Sequence, residues 1–169
     1  SGRDGFGVAG LDRYHKQLLD AFFRRNEGFF LTGGAALVGF HLHHRTTLDL
    51  ALFTTEDVLD DGEAARVGAA SALGAGIERL RTSPTFRRLP VSGGCDAVVI
   101  GLVHELAPQL DDAKRAVGGV RVNSPREIMA NTLCTLLSRA ELRDLVDVRA
   151  LEQASLSVEE HLPLAAQKD

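Results

Sequence analysis

Phe29-Phe-Leu-Thr-Gly-Gly-Ala-Ala-Leu37, with His44-Arg-Thr-Thr-Leu-Asp-Leu-Ala-Leu-Phe53 close behind it, is the stretch on which the fold turns. An apolar run enters a Gly-Gly turn, a short helical stretch follows, and an alternating strand begins at Asp49. Alternate residues of a strand face the same side, so Asp49 and Ala51 share one face. Backbone N–H groups at a turn that opens a helix form a ready cradle for phosphate oxygens. Gly33 and Gly34 are therefore candidate nucleotide- or anion-binding residues. A tight strand-to-helix turn, retained for folding alone, accounts for them equally well.

Upstream, Leu11, Tyr14, Leu18 and Phe22 recur at helical spacing, widened by Leu19 and Phe23, which predicts a core-facing helix over residues 11–25. Residues 28–32 read as a short strand, residues 35–43 as a helix with Leu37, Phe40 and His41 inward, and residues 49–54 as the next strand. Glu56 to Glu63 reads as a solvated acidic loop. Residues 64–81 regain a helical period through Val67, Ala70, Leu73, Ile77 and Leu80, although each glycine among them costs up to ~1 kcal/mol against alanine. Pro84 and Pro90 bracket a short edge strand, Gly93-Gly94 is a turn, and Ala97 to Val103 is a buried strand. Gly118-Gly119 turns the chain into Val120 to Asn123.

Ser124-Pro-Arg-Glu127 is a helix start, with a capping Ser, Pro at the first helical position and Glu127 completing a capping box. That helix points Ile128, Leu133, Leu136 and Leu137 inward, and a second one aligns Leu142, Leu145, Val148 and Leu151. The last dozen residues read as a polar tail or a short terminal helix. One domain over residues 1–169 is expected, with its core at 11–151 and a polar tail at 152–169.

A net charge of −4 argues against a surface devoted to nucleic acid. Sixteen of the nineteen basic residues are Arg, a bias that a GC-rich genome explains better than a binding patch does. Cys95 and Cys134, far apart in sequence, read as reduced thiols of a cytoplasmic protein, and no apolar run approaches the ~18 residues of a membrane span. The opening Ser-Gly-Arg, without Met, reads as a tag remnant.

The quoted stretch resembles the start of the nucleotidyltransferase superfamily in its AbiEii/AbiGii-type toxin version. Members of that family read Leu-Thr-Gly-Gly-Thr-Ala-Leu, then His-Arg-x-Ser-x-Asp-x-Asp-x-Phe. The resemblance continues in Val120-Arg-Val-Asn-Ser124, Ile128-Met-Ala-Asn131 and Ser138-Arg-Ala-Glu-Leu-Arg-Asp-Leu-Val-Asp147, and so spans roughly Phe22 to Leu151. It implies an α/β fold: a small mixed sheet flanked by helices, with a helical C-terminal pair. It also implies two divalent ions held by three carboxylates, two on the Asp-x-Asp strand and one on a neighbouring strand, with a lysine nearby to neutralise phosphate. Here Asp49 keeps the first position as a remnant catalytic and metal ligand, while Ala51, Gly101 and Thr132 stand at the second acid, the third acid and the lysine. A single engineered Asp→Ala change would explain Ala51 but not the other two, so the site reads as naturally degraded.

The remaining candidates divide between chemistry and structure. Arg45 faces the same pocket as an anion-binding residue or pairs with a carboxylate, and the pairing is favoured. His41, His43 and His44 suggest a metal cluster, yet in a helix only His41 and His44 share a side. His104 and Glu105 form an acid/base pair bordering the pocket or simply an exposed strand end. Cys134 reads as a buried small hydrophobe and Cys95 as a more exposed thiol. Arg79, Arg81, Arg87 and Arg88 read as a contact for RNA or phosphate or as a solvated face, with the solvated face favoured, and Arg139, Glu141, Arg143, Asp144 and Asp147 as an ion-pair network.

The function expected is a pseudoenzyme that binds a nucleotide, another anion or a protein partner. One alternative is an enzyme of specialised metabolism with new chemistry in the pocket, acting through Asp49, a histidine or Glu105. The other is an active toxin-like transferase with relocated ligands, the only reading that calls for Mg²⁺. No other cofactor and no membrane or nucleic-acid partner is expected, while a small organic ligand would suit a roomier pocket.

Overall fold

The computed structural model describes residues 11–47, 49–77, 81–93 and 96–168. Helix α1 (Arg13–Arg25) starts where the Asp12 carboxylate accepts the His15 N–H at 2.9 Å, and it buries Leu18, Leu19, Phe22 and Phe23. Such a cap is worth ~1 kcal/mol. Phe22 meets Phe23 and Phe29 edge-on, with ring centroids 5.5 and 5.6 Å apart. Strand β1 (Phe30–Thr32) leads into α2 (Gly33–Ala36), which runs on as a π-helical turn, Leu37–His41. Strand β2 (Asp49–Thr54) follows at the predicted boundaries, then α3 (Leu59–Ala72), β3 (Gly76–Ile77), β4 (Arg81–Ser83), β5 (Phe86–Gly93) and β6 (Asp96–His104). The hairpin β7 (Arg115–Val117) and β8 (Val120–Val122) turns on Gly118 and Gly119, both at positive φ, where glycine carries no Cβ penalty. Helices α4 (Pro125–Ser138), α5 (Leu142–Gln153) and α6 (Val158–Lys168) complete the fold.

The strands form one sheet in the order β3-β5-β6-β2-β1-β8-β7, with β4 also on β5. The pairs β2·β6 and β1·β8 are parallel and the rest antiparallel, so the sheet is mixed. The α/β class expected from the sequence is the one observed. Strand periodicity then divides the sheet into two faces. Leu50 and Leu52 of β2 are buried with Val98, Ile100 and Leu102 of β6, beneath α3. Asp49, Ala51, Phe53, Val99, Gly101 and Val103 point to the opposite face and line a cavity walled by α4 and α5.

Several expectations are corrected. The acidic loop is shorter than predicted, because α3 begins at Leu59, and Asp60 and Asp61 sit in its first turn, where carboxylates suit the helix dipole. The helix predicted to residue 81 stops at Ala72. Gly74 takes φ +67° and the Ala75 N–H bonds back to the Ala70 carbonyl at 2.8 Å, a helix-terminating turn, after which Ile77 joins β3. Leu80 lies outside the described residues, as do Arg79 and Cys95. The edge strand between the two prolines belongs instead to the longer β5, which pairs with β6 along its length. Of the polar tail and the short terminal helix expected at the C-terminus, the helix is the one that forms, and α6 packs on α4, with Cys134 half-buried against it and its thiol donating to the Ala165 carbonyl at 3.3 Å. Leu137, Leu142 and Leu145 are 82, 76 and 53% exposed and not inward; for Leu137 the reason is that α6 covers α4 on another side.

Only half of the capping box forms. Ser124 Oγ accepts the Glu127 N–H at 3.1 Å, but the Glu127 carboxylate turns into the protein and is fully buried. Its Oε1 accepts the Leu110 and Asp111 N–H groups and Lys114 Nζ, at 2.8, 3.1 and 3.1 Å. Its Oε2 lies 2.8 Å from Lys168 Nζ, which also donates to the Pro108 carbonyl. Burial alone would raise the Glu127 pKa, but the bonds from Lys168, the Asp111 amide and Lys114 outweigh it and hold the carboxyl below its ordinary range.

Candidate functional site

Sheet register builds the cavity floor as three rows. Asp49 lies beside Val99, and Val99 opposite Pro90. In the next row Thr32 lies opposite Ala51, Ala51 beside Gly101, and Gly101 opposite Arg88. The third row is Phe30, Phe53, Val103 and Phe86. The floor thus passes from a carboxylate, through residues with almost no side chain, to an apolar aromatic end. A Cβ at Gly101 would meet only the Leu50 carbonyl, at 3.9 Å, so open space stands above it. The cavity holds about 760 Å³, a size typical of small-molecule sites.

The wall is an ion-pair network that joins segments 102 positions apart in the chain. Arg45 forks onto Asp147, with Nε to Oδ1 at 2.8 Å and one terminal nitrogen to Oδ2 at 2.9 Å, and His44 Nε2 lies 2.7 Å from the same Oδ1. The hydrogen bond to Asp147 raises the Arg45 pKa against the opposing effect of burial. Arg139 bonds Asp144 at 3.2 and 3.3 Å, and Arg143 bonds Glu141 at 2.7 Å. Arg45 therefore meets the favoured expectation of a carboxylate partner. Its guanidinium lies over Gly34, where a Cβ would come within 2.3 Å of it, and Gly33 takes φ +64°. Each glycine thus has a structural reason that requires no ligand.

The structure brings Asp49, Ala51, Gly101 and Thr132 into one cavity, together with Gly33, Gly34 and Arg45. Phosphoryl transfer by two metals needs several hard oxygen ligands on a common face. The Asp49 side chain is 54% exposed and 3.8 Å from Arg143 Nη1, and the other cavity acids are engaged in the network just described. Thr132 turns its hydroxyl back to the Ile128 carbonyl at 2.7 Å. Among the described residues no three His, Cys, Asp or Glu side chains converge. The residues present do not fit a pair of divalent ions.

Other candidates fall elsewhere. Glu105 borders a different cleft, beside Lys114, and accepts the Ala107 N–H at 2.8 Å, while His104 does not line the cavity, so an acid/base pair in the pocket is not formed. The histidines diverge as well: His41 Nε2 donates to the Asn123 carbonyl at 2.8 Å, His43 points into a groove beside α1, and His44 binds Asp147. Burial lowers the His41 pKa. Arg87 joins Asp60 and Glu63 as a structural cation, whereas Arg88 lines the cavity. The sequence does not single out Phe86, gives Phe53 no role and favours Arg88 as part of a solvated face, because only the pairing of β5 with β6 and of β6 with β2 sets them on the floor.

No protein-family model matches the chain, and no curated protein matches it in sequence. Solved structures do. A provisionally assigned nucleotidyltransferase from Helicobacter pylori superposes with a TM-score of 0.63 at 19% identity, over 92% of this chain and 72% of that one. The antibiotic-resistance factor ANT(2'')-Ia gives 0.59 at 20% identity, over 90% and 88%. MenT4, a nucleotidyltransferase toxin of Mycobacterium tuberculosis H37Rv, gives 0.59 at 16% identity, over 89% of this chain and 59% of its own. With its mixed sheet, its Gly-Gly turn and its cavity between sheet and helices, this chain has the nucleotidyltransferase fold.

Proposed function

We propose that this chain is a pseudoenzyme of the nucleotidyltransferase fold, which uses the inherited cavity to bind an anionic or organic ligand or a partner, without metal-dependent nucleotidyl transfer. The row Thr32, Ala51, Gly101 and Arg88 carries this reading, since it holds no carboxylate where the family resemblance calls for two. A floor that keeps Asp49 alone of the three expected carboxylates lacks most of the electrostatic stabilisation on which phosphoryl transfer depends. Of the residues named for repurposed chemistry in this pocket, Asp49 alone lines it, which favours binding over a new reaction. The toxin-like alternative is supported only by the fold shared with MenT4. The single domain and the cytoplasmic location belong to the proposal. For the latter, among the described residues no helix is long and apolar enough to cross a membrane.

Calorimetric titration with each NTP, with and without Mg²⁺ or Mn²⁺, tests the reading. No metal-dependent binding is expected for the wild type, and gain of such binding is expected for the triple variant Ala51→Asp, Gly101→Asp, Thr132→Lys. Metal-dependent wild-type binding near micromolar affinity overturns the pseudoenzyme.

A further inference from the structure

The charges lining the cavity do not balance locally. The lining holds Arg45, Arg88, Arg139 and Arg143 against Asp49, Glu141, Asp144 and Asp147. Every one of those acids lies within 4 Å of Arg45, Arg139 or Arg143. Arg88 has no carboxylate partner among the described residues, and it stands beside Gly101, the position from which the resemblance expects a carboxylate to face it. Two residues further along the same face of β5 stands Phe86, in one row with Val103 and Phe53. Strand geometry sets Arg88 and Phe86 about 7 Å apart. Beside Arg88, across β6 and β2, the floor is Gly101 and Ala51, with space above Gly101.

Resting on the pseudoenzyme reading, we infer that the cavity binds an aromatic monoanion, a carboxylate or sulfonate on a flat body of one or two fused rings, without any metal. The anion meets the Arg88 guanidinium, whose planar fork suits two oxygens at once. The rings lie over Ala51 and Gly101 toward Phe53 and Phe86, where aromatic surface is removed from water. A pair of carboxylates on this floor would repel such a ligand. Their replacement by Ala and Gly removes that repulsion and provides the room for the ring.

The probe is 2-naphthoate, titrated calorimetrically into the whole chain in buffer with EDTA, beside the neutral 2-naphthalenemethanol. One-to-one binding of the naphthoate is expected, with the alcohol about tenfold weaker, as loss of a charge-assisted hydrogen bond implies. Arg88→Gln should weaken the naphthoate by a similar factor and leave the alcohol unchanged. Because Arg88 is exposed, this variant keeps the fold, which its melting temperature checks. Ala51→Asp with Gly101→Asp should abolish naphthoate binding. No naphthoate binding, or binding unaffected by Arg88→Gln, overturns the inference. If Mg²⁺–NTP also fails to bind, the pseudoenzyme reading still stands. If it binds with micromolar affinity, both fall.

Discussion

Helix α4 carries two environments little more than one turn apart. At its first turn Glu127 is buried with Lys114, Lys168 and two backbone amides around it, and the three charges are retained with every one partnered. At Thr132 the same helix faces the cavity floor, where Asp49 is the one acidic sheet residue and the threonine hydroxyl bonds its own backbone. The difference lies in what supplies the partner. Glu127 is satisfied by residues of this chain. Carboxylates on the floor would depend on ions, and without them two like charges on adjacent strands disfavour the fold. A floor without such a pair is therefore tolerable for stability, whereas removal of the Glu127 carboxylate is not.

Glu127→Ala is expected to have the largest effect, destabilising by about 3–5 kcal/mol in urea titration, since it leaves buried ammonium groups without a counter-charge. The pH dependence should single out the same residue. Its folded pKa is depressed, so its contribution is fully present above the ordinary unfolded range near ~4.3 and is lost as pH falls through the lower folded value. Glu127→Gln should flatten that part of the acid limb, and an unchanged limb would count against the cluster. Next in size, Asp147→Asn should cost about 2 kcal/mol by weakening the bonds from Arg45 and His44, measured as a shift of the denaturation midpoint. The floor supplies the smallest effects, of opposite sign. Gly34→Ala pushes Arg45 off its seat and should destabilise by about 1 kcal/mol, whereas Gly101→Ala, which meets only one atom at 3.9 Å, should stabilise by up to ~1 kcal/mol. A destabilised Gly101→Ala would show that the floor is strained, and the contrast with Glu127 would fail.

The sequence made legible what depends on local pattern. Strand β2 and the helix start at Ser124 stand where alternation and capping residues put them, and Asp49, Ala51, Gly101 and Thr132 do share a cavity. What stayed hidden depends on partners distant in the chain. Leu73 and Ile77 continue a helical period across Gly74, yet that glycine's backbone ends the helix and Ile77 pairs with Val91. Leu142 and Leu145 have the spacing of a buried stripe, but spacing does not say what covers it. Glu127 has the position of a capping residue and instead binds Lys168, on a terminal helix that the sequence leaves open against a polar tail. Arg88 entered the site only through its register with Gly101.

The bond between Arg45 and Asp147 has a further consequence for how ligands can be found. It joins residues 102 positions apart, and the cavity draws on β1, β2, β5, β6, α4 and α5 together. Such a site is complete only when those distant segments are paired. A compound seated there binds the folded state alone and raises the melting temperature with the logarithm of its concentration above Kd. Thermal-shift screening therefore reports on this cavity before its chemistry is known.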